Sequence, residues 1–437
     1  MLDRAKKVLK TLNKANHEAY IVGGVVRDVA LGLNPSDVDI ATSANPEEVI
    51  RLFPKTYPSG IEFGTVTVMV DEESFEVTTF RTDGEYLDGR RPEVVTFGKT
   101  IEEDLSRRDF TINAMAMDIN GEIIDTFDGK NDLQKGIIKA VGNPVQRFSE
   151  DALRILRAFR FSARFGFTIE AETLNASKET REGLRLISAE RIRDEIFKIL
   201  MTDNVLNTFT AMHKTGVLDI ILPEIAKMYG VEQNHPHHIY DVFSHTMISV
   251  ENAPKDLTIR LAMLLHDIGK PYTKETVDGV DRFCEHHLKS VEIATDILSR
   301  LNVSNKIKNE VLELILLHDR EIIESPKAVR RLLSQLQYTN LDNLLAVKKA
   351  DAIGQNSIYL EDKLVILNNI QKISSNQPKL TVKDLAVNGH DMIALGLQGK
   401  DIGDMLNYLL DLVLDDAALN QTDTLMDISQ KKLLSQL

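Results

Sequence analysis

The sequence predicts an α+β head built on a mixed or antiparallel β-sheet, followed by an all-α remainder. Three observations carry this expectation. Short β-rich runs are confined to the stretch from Ala19 to about Val141, apolar residues beyond Pro144 recur at spacings of three and four, and 437 residues exceed what one ordinary core holds. The candidate strands are Tyr20–Val22, Val38–Ala41, Thr65–Val70, Phe75–Phe80 and Ile123–Thr126, bounded by Gly, Pro, Asn and Asp. In the remainder Ile155, Phe159 and Ala163, then Ile192, Ile196 and Ile199, mark helix faces, and strand signals vanish. Loops at Asn234-His235-Pro236-His237 and Ser374-Ser375-Asn376-Gln377-Pro378 punctuate it.

Composition narrows the function classes. With 43% hydrophobic and 27% charged residues the chain reads as globular, and no uncharged apolar run is long enough to span a bilayer, so no membrane partner is expected. Met1-Leu2-Asp3-Arg4 followed by Lys6 and Lys7 lacks the apolar core of a signal peptide, which points to the cytoplasm. The single cysteine, Cys284, excludes an internal disulfide. A net charge of −14 argues against nonspecific coating of nucleic acid, which needs concentrated Lys and Arg. Much of the acidity lies late, at Asp401, Asp404, Asp411, Asp415, Asp416, Asp423 and Asp427.

Three head motifs bear on chemistry. Gly23-Gly24-Val25-Val26-Arg27-Asp28 follows the strand-like Tyr20-Ile21-Val22. Glycines at a strand-to-helix turn let backbone approach a phosphate, and Arg27 adds a fork of donors; the same pattern also makes a plain tight turn. Ser36-Asp37-Val38-Asp39-Ile40 puts Asp37 and Asp39 on one strand face, where adjacent carboxylates repel unless a cation such as Mg²⁺ sits between them. In-line displacement usually wants a third carboxylate from a neighbouring strand, and Glu76, between Phe75 and Val77, is the candidate; the plain alternative is a surface glutamate. Arg107-Arg108-Asp109-Phe110-Thr111-Ile112-Asn113-Ala114-Met115-Ala116 places two arginines and an Asp ahead of a small-residue helical stretch. It fits an N-capped surface helix or a triphosphate and ribose site, with Asn113 one helical turn from Asp109.

Taken in order, these motifs resemble the class II nucleotidyltransferases: bacterial CCA-adding enzymes, their CC- or A-adding relatives and bacterial poly(A) polymerases. The resemblance implies a nucleotidyltransferase head that uses Mg²⁺ on Asp37 and Asp39, with Glu76 as third catalytic carboxylate. It implies that Gly23, Gly24, Arg27 and Arg107 hold the triphosphate of CTP or ATP, while Arg108, Asp109 and Asn113 contact the ribose or shape the pocket. A tRNA 3′ end is the implied acceptor. Glu150-Asp151-Ala152-Leu153-Arg154 resembles the family motif in which Asp151 and Arg154 pair with the Watson–Crick edge of the incoming base. A carboxylate accepts from the amino group that cytosine and adenine share, and a guanidinium donates to ring nitrogen or carbonyl. At i and i+3 the two also fit one helical face and a plain ion pair. Arg157, Arg160 and Arg164 form a basic stripe, either a solvated face or a phosphate track, and Arg157 and Arg160 are counted with the nucleotide-binding candidates. Ala189-Glu190-Arg191-Ile192-Arg193-Asp194-Glu195-Ile196 resembles the helix that buttresses the base-reading one. Residues from Arg81 to Pro92 match the family's flexible loop without deletion, which implies handling of A.

A second constellation follows. His266-Asp267-Ile268-Gly269-Lys270 comes after the apolar run Leu261 to Leu265, with His245 before it and His286, His287, His318 and Asp351 beyond. An adjacent His and Asp with distant partners can surround one or two divalent cations and activate a water. The pattern resembles the HD phosphohydrolases, with His245, His266, Asp267, His286, His318 and Asp351 matching, and implies a second divalent metal and activity on RNA ends. The expected domains are a head over 1–140, a helical neck over 141–205, a helical body with the HD site over 206–355, and a helical tail over 356–437 that holds tRNA. Complete CCA addition, A addition or poly(A) synthesis, and an HD phosphohydrolase with an inactive head remain distinct expectations. Oligomeric state is not legible.

Overall fold

The computed structural model describes residues 1–35, 37–58, 60–83, 95–98 and 100–435. The expected loop falls mainly on residues 84–94, outside the described residues. The chain divides into two compact units, Met1–Ala226 and Lys227–Leu437.

In the first unit the elements run α1 (Leu2–Lys14), β1 (Ala19–Val22), α2 (Gly24–Ala30), β2 (Asp39–Thr42), α3 (Pro46–Leu52), β3 (Thr56–Tyr57), β4 (Thr65–Val70), β5 (Glu73–Thr79), β6 (Arg81–Asp83), β7 (Val95–Phe97), α4 (Ile101–Ser106), β8 (Ala116–Met117) and β9 (Ile123–Ile124). Then come α5 (Gly129–Lys135), β10 (Ile137–Ile138), α6 (Pro144–Glu150), α7 (Leu153–Phe165), β11 (Thr168–Ile169), α8 (Ala171–Thr180), α9 (Ala189–Leu200), α10 (Val205–Lys214), α11 (Val217–Ile221) and α12 (Pro223–Ala226). Seven strands make one sheet in the order β3-β4-β5-β2-β1-β8-β9. Only the β2–β5 pair is parallel, so the sheet is mixed as expected.

Local chemistry sets these elements. Helix α1 buries Ala5, Val8, Leu9 and Leu12, one stripe at helical spacing. Helices α3 and α4 each start on a capping box, Asn45 with Glu48 and Thr100 with Glu103. One cluster of the head core joins Val22, Ala41 and Phe80 of the sheet region to Ile101 and Leu105 of α4. Strand β2 buries Ile40 and leaves Asp39 exposed, so burial of its apolar face aims the carboxylate outward.

The second unit runs α13 (Val242–Asn252), α14 (Leu257–Leu265), α15 (Lys270–Thr273), β12 (Lys274–Val277), β13 (Val280–Phe283), α16 (His286–Arg300), α17 (Asn305–Leu317), α18 (Pro326–Gln335), α19 (Leu341–Ile353), α20 (Leu360–Ser374), α21 (Gly389–Ala394), α22 (Lys400–Asp415) and α23 (Thr422–Leu434). Its last helices have their own core around Met392, Leu409, Val413 and Leu425.

Strands beyond Pro144 correct the expectation that strand signals vanish there. Strand β11 pairs in parallel with β10, and β12 with β13 form a hairpin in the body. The hairpin turn is Asp278-Gly279 with φ of 53° and 78°, the double positive φ that matches strand twist in a two-residue connection. Its strands are only four residues each, too short to register against the helical period around them.

Candidate active site and candidate metal centre

The head site begins at the β1–α2 turn. Gly23 has φ of 76°, a conformation that favours glycine, and a Cβ there would meet Arg108 Nη1 at 2.8 Å and displace that guanidinium. Arg27, one turn into α2, is buried. Its Nε and Nη2 donate to Asp28 Oδ1 at 2.8 and 2.7 Å, and Nη1 donates to Asn113 Oδ1. The guanidinium also lies 5.2 and 4.9 Å from the ring centres of Phe161 and Phe165 on α7. Burial lowers its pKa, with Asp28 opposing.

Asp39 stands opposite Glu76 in the parallel β2–β5 register. Packing around Asp39 raises its carboxyl pKa, the negative charge of Glu76 adds to this, Arg108 opposes it, and Asp37 adds again. Asp37 lies just before the strand and is exposed like Asp39. A carboxylate set in which burial and the neighbouring charge of Glu76 both disfavour an ionised Asp39 fits a hard divalent cation.

Asp39, unlike Asp37 and Glu76, is among the residues lining a cavity of about 420 Å³. Every expected nucleotide-binding residue lines it: Gly23, Gly24, Arg27, Arg107, Arg108, Asp109, Asn113, Asp151, Arg154, Arg157 and Arg160. So do Asp39, Leu153, Phe161, Arg164 and Arg191. Among the described residues its cationic side chains are all arginine, and acids hold them in place. Asp104, 1% exposed, accepts from Arg107 at 2.6 Å and Arg108 at 3.0 Å. Burial opposes its ionisation, but the two arginines outweigh that and lower its pKa. Asp109 accepts Arg157 Nε at 2.7 Å and Asn113 Nδ2 at 3.0 Å. Burial pushes its pKa up, yet Arg157 and Asn113 win and hold it at about 2. Arg160 pairs with Glu195 of α9 at 2.8 Å.

Two expectations change here. Arg107–Asn113 does not open a surface helix: Arg107 closes α4, and Thr111–Asn113 is one buried 3₁₀ turn with no side-chain cap. Asp151 and Arg154 do not share a helical face as an ion pair. Asp151 ends α6 and pairs with Arg191 at 2.7 Å, whereas Arg154 on α7 donates to Glu150 at 2.8 Å and to the carbonyls of Arg147 and Arg107 at 3.1 and 3.0 Å. Among the described residues these bonds use three of the five Arg154 N–H groups. The stripe Arg157, Arg160, Arg164 lines the cavity, with Arg157 and Arg160 half-buried and Arg164 exposed.

In the second unit all six expected ligands converge. His245 and His266 face each other Nε2 to Nε2 at 3.2 Å, and so do His286 and His318 at 3.2 Å. Each Nδ1 lies on a backbone carbonyl: His245 on Gly354 at 2.8 Å, His266 on Met263 at 2.7 Å, His286 on Phe283 at 2.9 Å and His318 on Ile315 at 2.7 Å. A carbonyl only accepts, so each Nδ1 carries hydrogen and each neutral Nε2 presents a lone pair inward. Asp267, 1% exposed, lies between the pairs: Oδ2 is 3.3 and 3.2 Å from His245 and His266, and Oδ1 is 3.4 and 3.7 Å from His286 and His318. Asp351 Oδ1 is 3.1 Å from His245 and 3.4 Å from His266. Lone pairs meeting lone pairs, with Asp267 Oδ1 buried and without a donor, fit metal cations and little else. Burial disfavours positive charge here, yet Asp267 and Asp351 drive His266 up to about 10, whereas burial wins at His318 and lowers it. Glycine again permits the approach, because a Cβ on Gly354 would meet Ser249 Oγ at 2.3 Å and His245 Nδ1 at 2.9 Å.

Family models match three stretches: the poly A polymerase head domain over residues 19–139, a probable RNA- and SrmB-binding site of polymerase A over 166–229, and the HD domain over 237–354. The CCA-adding enzyme of Ligilactobacillus salivarius is 34% identical over 435 residues, covering 99% of this chain and 97% of that one. This chain belongs to the CCA-adding enzyme family. The Lactobacillus johnsonii CCA-adding enzyme is 50% identical over 230 residues, and that alignment spans 53% of this chain and 57% of the relative's length. A crystal structure of the Bacillus stearothermophilus CCA-adding enzyme with CTP superposes with a TM-score of 0.76 at 28% identity, over 100% of this chain and 98% of that one. Among the described residues no helix is long and apolar enough to cross a membrane. Sequence reasoning did not single out Asp104, although its partners Arg107 and Arg108 are only three and four residues on, nor Phe161 and Phe165, whose contact with Arg27 is long-range; Glu195 was read only as part of the buttressing helix, not as the partner of Arg160.

Proposed function

We propose that this chain adds CCA to the 3′ end of tRNA from CTP and ATP without a nucleic-acid template. The observation that carries the reading is Asp39 in register with Glu76 beside an arginine-walled cavity, in a chain matching a CCA-adding enzyme along 99% of its length. Asp37, Asp39 and Glu76 are the residues that would hold Mg²⁺, whose chemistry is to lower the pKa of the RNA 3′-hydroxyl and neutralise charge on the α-phosphate. The 3′-hydroxyl attacks that phosphorus and pyrophosphate leaves. Arg107 and Arg108, already oriented by Asp104, face the triphosphate beside Gly23 and Gly24, where absence of side chains keeps the backbone accessible. Arg27, bonded to Asp28 and Asn113, acts mainly as a pillar under this floor. Asp109 and Asn113 set the ribose end, and Arg157 and Arg160 line the neck wall. Asp151 and Arg154 read the base, with Arg191 holding Asp151 in place.

The reading keeps the head at 1–140, neck at 141–205, body at 206–355 and tail at 356–437, and a cytoplasmic location suited to tRNA maturation. A second activity rests on the histidine cluster. Its ligands divide about Asp267 into two cation positions, one with His245, His266 and Asp351 and one with His286 and His318, a donor set for metal-dependent hydrolysis of phosphate esters at RNA ends.

The test supplies Mg²⁺ and labelled CTP and ATP to tRNA transcripts ending at the discriminator base or at CC. Addition of C, C and A to the first supports the proposal. Addition of A only to the CC-ended transcript reassigns the chain to A addition, and no incorporation moves the activity to the histidine cluster.

A further inference from the structure

Above the histidine–aspartate cluster lies a cavity of about 380 Å³ whose wall includes His235 and His238, neither of them among the six ligands. These two rings end a ladder of four in which Tyr359 packs edgewise on His237 at 4.3 Å and 62°, His237 lies tilted against His235 at 5.1 Å and 31°, and His235 lies tilted against His238 at 6.1 Å and 60°. His238 in turn packs edgewise on the ligand His245 at 5.5 Å. The ladder is fixed from both sides. Asn356 N donates to the His237 carbonyl at 2.8 Å and its side chain to that of Pro236 at 3.1 Å. Asn234 N donates to Asp281 Oδ2 of the hairpin at 2.8 Å, and Asp281 N returns a bond to the Asn234 carbonyl at 3.0 Å. Arg282, exposed on the same hairpin, also lines the cavity.

We propose that this ladder is a nucleobase platform: the terminal base of a single-stranded RNA stacks against His235 while its terminal phosphate occupies the histidine–aspartate cluster. The inference rests on the reading of that cluster as a metal-dependent phosphohydrolase. A small phosphate ester needs only metals and a cation, whereas the His235 ring, held by its neighbours in the same cavity wall as the metal ligands, suits a flat base carried next to its phosphate. Stacking tolerates any base, so the platform favours RNA ends without choosing among sequences.

The test uses the metal-loaded full chain and an oligoribonucleotide bearing a 3′-phosphate on a terminal 2-aminopurine, with a twin whose terminal ribose lacks a base. Wild type is expected to quench the fluorescence on binding and to dephosphorylate the base-bearing end with a lower KM. His235→Ala should raise that KM on the order of tenfold and leave kcat and the abasic twin unchanged. His235→Phe, which keeps a flat ring and gives up one 3.3 Å bond from His237 N, should restore quenching and KM. Equal KM for the two ends in wild type, no quenching, or failure of Phe to restore what Ala loses would each overturn the platform. Asp267→Asn separates the readings: if it spares hydrolysis, the cluster assignment fails; if hydrolysis falls but His235→Ala changes nothing, only the platform does.

Discussion

The two sites solve opposite electrostatic problems. The head cavity is walled by arginines tied to buried acids, with Asp39 left exposed among its lining; it is arranged to admit a polyanion. The cluster in the second unit buries its four histidines and Asp267 and fixes each histidine Nδ1 on a carbonyl; it is arranged to retain cations. The lesson is that pre-organisation comes from different partners. Side-chain carboxylates orient the arginines, so the charge of each cation is partly spent before substrate arrives. Backbone carbonyls orient the histidines, which costs them no charge and leaves a full lone pair for metal.

The sharpest way to break this comparison is to remove the acids at the head's edge. Asp37→Ala with Asp39→Ala should cut nucleotide addition by on the order of a thousandfold or more, a loss of several kcal/mol of charge stabilisation, while metal bound in the second unit stays. Incorporation assays beside metal analysis by mass spectrometry read both. Asp267→Asn should do the reverse, stripping metal from the histidine cluster with tRNA extension intact; loss of extension would show that the sites are not independent. Gly354→Ala forces a Cβ toward His245 Nδ1 and Ser249 Oγ and should weaken metal binding ~10- to 100-fold by disturbing the carbonyl that orients His245.

The smallest effect is a pH dependence. Asp109 has its pKa lowered from 3.8 to about 2, so its contribution is fully present above pH 3.8 and is lost as pH falls through about 2. That shift corresponds to roughly 2 kcal/mol. Asp109→Asn should therefore lower the denaturation midpoint of the head at pH 7, and the mutant and wild-type curves should converge on acidification. Parallel curves down to pH 2 would show that Asp109 does not carry the linkage.

How much of this was legible beforehand follows from the range of each interaction. Asp37 and Asp39 were readable because strand alternation is local, and Glu76 because its own strand alternates; its register with Asp39 needed the fold. The histidine ligands were readable as a motif, but not the carbonyls that set their tautomers, since any residue supplies a carbonyl. Arg157 was legible as a nucleotide-binding candidate in a basic stripe, but its partner Asp109, 48 positions away, was not, and Arg27 likewise meets Asn113 at a separation of 86. The break between α6 and α7 at Asp151 had a local signal, since Asp is a favoured residue at helix starts and Asp151 Oδ1 accepts from Leu153 N at 3.0 Å, but the Arg191 pairing that also holds it is long-range. The hairpin's Asp278-Gly279 turn was in plain view but overlooked within a helical context.

The most direct measurement of the head's role concerns base choice. Single-nucleotide extension of a tRNA ending at the discriminator base, with CTP and with UTP, gives a ratio of kcat/KM for wild type and for Asp151→Ala and Arg154→Ala. If these side chains stand in for a template strand, wild type rejects UTP and each variant loses roughly 1–3 kcal/mol of that discrimination, on the order of 10- to 100-fold. Discrimination that survives both substitutions would contradict a protein-borne template in this cavity.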